Sequence, residues 1–139
     1  QDAIGAHCSK LFTLSVSALL PQVEGVITDW LYENCSDPSD IPWRQESKTK
    51  KFRDLVFSEP LSGDSYDLIV RSATEFILNG PLLVTFNDWT AGLAAVFPNR
   101  HAIGHGRHES ELFTEENSIK LILLLDTIHQ IVSSKEAGT

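Results

Sequence analysis

Residues 119–132 constrain the fold more than any other stretch of this chain. They include Ile119, Leu121, Ile122, Leu123, Leu124, Leu125, Ile128, Ile131 and Val132. The spacing reads as a helix that is apolar nearly all round for two turns. Such a helix must be covered by neighbours on several sides, as at the centre of a bundle. It is too short for a membrane span, which needs ~20 apolar residues. Its start is marked by Thr114-Glu115-Glu116. Thr is a capping residue, and two acids in a first turn suit the positive end of the helix dipole.

The N-terminal part has the same periodicity. Leu11, Leu14, Ala18, Leu19, Val23, Val26, Ile27, Trp30 and Leu31 recur at helical spacing. One long helix or two collinear ones are predicted over 3–33. Pro21 removes a backbone hydrogen bond in its middle and predicts a kink there. Residues 34–63 are irregular, with Pro38, Pro42 and Pro60. A short helix over 46–58 would place Phe52, Leu55 and Val56 on one face. A further helix is expected over 66–78, stopped by Asn79-Gly80-Pro81. Residues 82–86 suit either a strand or the opening of the next helix. Asn87 or Asp88 caps a helix through Ala95, which Pro98 halts. The prediction is an all-α fold, a small bundle of about five helices with a kinked first helix and a buried last one. It forms a single domain over 3–134, followed by a frayed tail at 135–139. Trp30, Trp43 and Trp89 read as core anchors or lids.

Charge narrows the function. The chain of 139 residues carries 19 acids against 11 bases, a net charge of -8. Affinity for nucleic-acid backbones comes mainly from Lys and Arg, so any such role needs a local basic site. Two segments qualify. Arg44, Lys48, Lys50, Lys51 and Arg53 fall within ten positions. They form either a solvated helix face or a phosphate patch. Cys8 and Cys35 lack metal-site spacing and suit reduced thiols in a cytoplasmic protein. A start at Gln1 is expected for a domain cut from a longer protein.

The second segment carries more chemistry. Residues 98–108 read Pro-Asn-Arg-His-Ala-Ile-Gly-His-Gly-Arg-His, with two of the five Arg and three of the five His. Arg holds phosphate through a fixed fork of donors. His exchanges protons near neutral pH. Together they suit RNA cleavage by the strand's own 2′-hydroxyl, without a metal or other cofactor. A base takes the hydroxyl proton, a cation stabilises charge on the pentavalent phosphorus, and an acid protonates the leaving oxygen. Arg100 and His105 would point about 140° apart on a regular helix. They share a face only if the helix ends or loosens between them, which Gly104 and Gly106 permit, or if two chains build the site together.

Arg100-x4-His105 resembles the R-x4-6-H signature of the HEPN superfamily, helical domains that include metal-independent ribonucleases of bacterial defence and abortive infection. Leu20-Pro21-Gln22-Val23-Glu24-Gly25 resembles an acidic-Gly turn in the first long helix of such proteins. Residues 97–106 resemble their Asn-Arg-His block, and 115–126 their final helix. The resemblance implies Arg100 and His105 as the catalytic pair, with Asn99, His101 and Glu24 in support and Glu24 orienting the pair. Arg107 and His108 would contact RNA. It further implies a homodimer whose two motifs share one cleft, single-stranded RNA as substrate, and cyclic-phosphate and 5′-hydroxyl products. A neutralising antitoxin or fused domain is the expected partner, and no membrane is involved.

Three other readings stay open. Arg100 and His105 can be an ordinary surface residue and a helix-end cap. His101, His105 and His108 can bind a metal with Glu109 or Glu111, although the glycines weaken the helix that would align them. The chain can also be a non-catalytic, HEPN-like module for dimerisation or partner binding.

Overall fold

The structure is a computed structural model that describes residues 2–58, 68–69, 71–72, 75, 98–104 and 110–136. Among these residues the fold is all-helical. Five α-helices appear in order: α1 (Asp2–Cys8), α2 (Phe12–Asn34), α3 (Gln45–Val56), α4 (Arg100–Gly104) and α5 (Glu115–Glu136). Single 3-10 turns lie at Pro38–Asp40 and Ser110–Leu112. A small helical bundle is therefore the architecture. Among the described residues, no helix is long and apolar enough to cross a membrane.

The N-terminal periodicity resolves into two helices that are separate rather than continuous. Lys10 breaks the run with φ 61°, in the left-handed region. Its N–H donates to the His7 carbonyl at 2.9 Å, and Leu11 N–H reaches back to the Ala6 carbonyl at 2.8 Å. This is the paired bonding of a Schellman turn. The usual stop signal is Gly, and here a Lys takes that place, so periodicity alone runs through it. Beyond this turn, α2 continues across both Pro21 and Gly25, with no turn at the acidic-Gly pair. Pro21 and Ser17 are both exposed. The one ladder bond lost, to the Ser17 carbonyl, thus lies where water can replace it.

α2 and α5 form the centre. Ser15, near the start of α2, meets Ser118, near the start of α5. A groove farther along is lined by Leu19 and Val26 of α2 and by Ile122 and Leu125 of α5. The two helices therefore run parallel. Val16, Val23, Ile27 and Leu31 pack in one core with Leu121, Leu124, Ile128 and Ile131. Phe52 and Val56 of α3 close it. The Phe52 ring meets Trp30 edge-on at 5.2 Å between centroids, a favoured aromatic arrangement.

Three further sequence expectations change. α5 is not buried all round: Leu123 remains 61% exposed and Ile119 41%. Trp43 is 82% exposed and is no core anchor; the Arg44 guanidinium lies 5.1 Å from its ring centre. α5 also runs on through Lys135 and Glu136. Most of the helix expected over 66–78 lies outside the described residues, as do all of 82–95 and Trp89.

Candidate functional site

Arg100 opens α4, and local bonds explain why a helix starts there. Asn99, fully buried, accepts the Ala102 N–H on its side-chain oxygen at 3.0 Å. Its backbone carbonyl accepts from Ile103 N–H at 3.1 Å. Asn99 is thus the N-cap of α4. Ala102 packs with Leu112 in a small satellite core with Ile103 and Phe113 beside it. The short helix is therefore anchored from below while its first side chain projects elsewhere.

That side chain reaches α2. Arg100 Nη2 pairs with Glu24 Oε2. The other carboxylate oxygen, Oε1, accepts from Lys48 Nζ of α3 at 3.3 Å. Lys48 also points at the Thr28 hydroxyl, 3.5 Å away. Glu24 and Thr28 are one turn apart on α2, so they present one face to Lys48. One carboxylate thereby joins α2, α3 and α4. The Lys48 and Glu24 side chains are 15% and 18% exposed, and Arg100 is 34% exposed.

Two other basic residues of α3, Lys51 and Arg53, have different partners. Lys51 donates to the Asp40 carbonyl at 2.7 Å. Arg53 sits 3.5 Å from Asp54 and 4.0 Å from Glu75. Among the described contacts, Lys48 alone of this group turns toward the Glu24 carboxylate that Arg100 also binds. Sequence reasoning counted it merely as one charge in a basic run. A sharper signal was available in α2: Glu24 lies between the apolar positions Val23 and Ile27, where a carboxylate needs a cationic partner.

The predicted site residues divide. Glu24 and Arg100 come together, and Asn99 caps the helix that Arg100 opens. His101 is the second residue of α4, and its side chain lies outside the described residues. The same holds for all of His105, Arg107, His108 and Glu109. The described part of α4 runs as far as Gly104. Among the described residues, no three His, Cys, Asp or Glu side chains are grouped to hold a metal. Cys8 and Cys35 are free thiols.

A second polar cluster lies at the start of α5. Ser118 Oγ is 2.7 Å from Ser15 Oγ and 2.9 Å from His7 Nδ1. Asn117 donates from its side chain to the carbonyls of Leu112 and Glu111, at 3.1 and 3.4 Å. Thr114 caps the helix by accepting Asn117 N–H at 3.1 Å. Ser15, Asn117 and Ser118 are buried. These bonds fix how α1, α2 and residues 110–112 meet α5.

Compared with protein-family models, with curated proteins and with solved structures, the chain matches none.

Proposed function

We propose that this chain is a metal-independent endoribonuclease of HEPN type, acting on single-stranded RNA in bacterial defence or stress. The observation that carries the reading is the placement of Arg100. It is held at the capped start of α4 by Glu24, with a second cation on the same carboxylate. In an acidic chain, this is a local basic spot of the kind a phosphodiester needs. Arg100 would stabilise charge on the pentavalent phosphorus. His105 would move the proton between the 2′-hydroxyl and the leaving oxygen. Asn99 supports Arg100 by capping the turn that carries it. His101 would assist, and Arg107 and His108 would hold the adjoining strand. Two copies would bring their motifs into one cleft, and an antitoxin or fused domain would restrain the activity.

The test is cleavage of a labelled single-stranded RNA in EDTA. The parent is expected to release products ending in a 2′,3′-cyclic phosphate. Arg100→Ala and His105→Ala should each abolish release. Equal cutting by the double variant overturns the reading.

A second reading, the non-catalytic partner-binding module, is favoured by a separate feature. A hollow of about 570 Å³ beside α2 is lined by Leu11, Phe12, Leu14 and Phe113, and Leu11 and Leu14 are more than half exposed. Apolar side chains around a hollow mark a surface another protein can cover. A stable complex or dimer that neither binds nor cuts RNA would select this reading.

A further inference from the structure

We propose that Lys48 is a phosphate-binding residue of the Arg100 site, paired with Arg100 across Glu24 to grip one phosphodiester of single-stranded RNA. This rests on the ribonuclease reading for its ligand but on separate observations for its residue. Lys48 and Arg100 bind the two oxygens of the same carboxylate, which places the two cations within reach of one anionic group. Their charges sum to +2 against -1 on Glu24, so within the triad itself one positive charge exceeds the carboxylate's. Arg100 presents five donors in a rigid fork, and only Nη2 is engaged with Glu24 among the described residues. Lys48 has three donors, and two contacts account for two of them, to Glu24 and to Thr28, the latter at the long limit of a hydrogen bond.

A phosphodiester presents two unesterified oxygens, as a carboxylate does. It can therefore bridge those donors of the two residues that do not face Glu24, while Glu24 keeps the cations side by side. Glu24 is then a positioning residue, holding α3 and α4 against α2 so that the cations do not drift apart. Of the other bases of α3, Lys51 and Arg53 are directed at different partners. The anion is gripped at one point and is not spread along a strip.

The experiment measures binding of a fluorescein-labelled single-stranded RNA octamer to the full chain across a salt series, in a His105→Ala background that prevents cutting. Lys48→Met should weaken binding about tenfold, the equivalent of one charge-assisted hydrogen bond. It should also flatten the slope of log K against log salt by about 0.7, one phosphate contact on a single strand. Lys48→Arg, which keeps the charge, should restore the slope even if it packs less well. A merely structural lysine would change the melting temperature and leave the slope alone. An unchanged slope in a folded Lys48→Met variant therefore overturns the proposal, as does a parent protein that does not bind the octamer. Inorganic phosphate forms the second arm. If it displaces the octamer only in proteins that retain Lys48, the grip is on the phosphate itself. Equal displacement from Lys48→Met overturns the assignment. If Lys48-dependent binding appears but the uncut parent never cleaves RNA in EDTA, the ribonuclease reading fails while the Lys48 site stands.

Discussion

Two polar clusters tie α2 to the rest of the bundle, and they are built in opposite ways. The cluster at the start of α2 links Ser15, Ser118 and His7 through hydroxyl and imidazole groups, with both serines fully buried. The cluster at its middle links Glu24, Lys48 and Arg100 through charges, in partial contact with water. Buried neutral groups contribute most when every partner is satisfied, and leaving one unpaired costs about 1–3 kcal/mol. Part-exposed charges contribute little to stability, because water screens them. The first arrangement is a joint. The second holds α3 and α4 loosely enough in energetic terms to keep donors open for a ligand. Stability and binding capacity are thus carried by different halves of the same helix.

The largest expected break in this contrast is Ser118→Ala. It strips partners from Ser15 and His7 at once. A loss of about 2 kcal/mol is expected, seen as a fall in Tm of roughly 6–8 °C. A loss no larger than that of a surface substitution would show that the joint is not a joint.

Two backbone swaps come next and should both stabilise. Gly25 lies inside α2, and a Cβ there meets nothing within 4 Å. Gly25→Ala should therefore add about 0.5–1 kcal/mol. Lys10→Gly relieves the left-handed residue of the α1–α2 turn and should add a similar amount, about 0.5–1 kcal/mol. Urea midpoints measure both. Gly25→Ala is the sharper of the two, because it stiffens the helix beside Glu24 without touching the carboxylate's charge.

A smaller effect separates the clusters directly. A double-mutant cycle on Glu24 and Arg100 should give a coupling of about 0.5 kcal/mol that shrinks as salt rises. The same cycle on Ser15 and Ser118 should give about 1 kcal/mol with no salt dependence. Equal salt responses would erase the distinction.

The smallest effect concerns an exposed turn. The Ser39 backbone N–H donates to Asp37 at 2.8 Å and holds that carboxyl below its ordinary value of 3.8. A carboxyl lowered in the folded state contributes stability that is present above its unfolded value and is lost as pH falls through the folded one. The NMR titration of Asp37 should therefore have its midpoint below 3.8, and Ser39→Pro, which removes the donor, should raise it.

Much of the fold was legible because it depends on local periodicity. The stripe through Val23, Ile27 and Leu31 and the cap at Thr114 identify α2 and the start of α5 without any tertiary knowledge. The break at Lys10 was not legible, since its conformation is held by two backbone bonds that leave no mark on side-chain pattern. The exposure of Leu123 was likewise unreadable. An apolar residue records a capacity to be buried, and only the neighbours available decide whether it is.

The candidate site divides in the same manner. Sequence alone determined that Arg100 and several His stand close along the chain, that the chain is acidic elsewhere, and that Glu24 is a charge set among apolar positions. Residue type and spacing suffice for those statements. Tertiary structure alone decided that Lys48, 52 positions before Arg100, shares Glu24 with it, and that Asn99 caps the helix carrying the arginine. Pairing between distant charges follows from how helices pack, and packing is set by the whole core, not by the residues that meet.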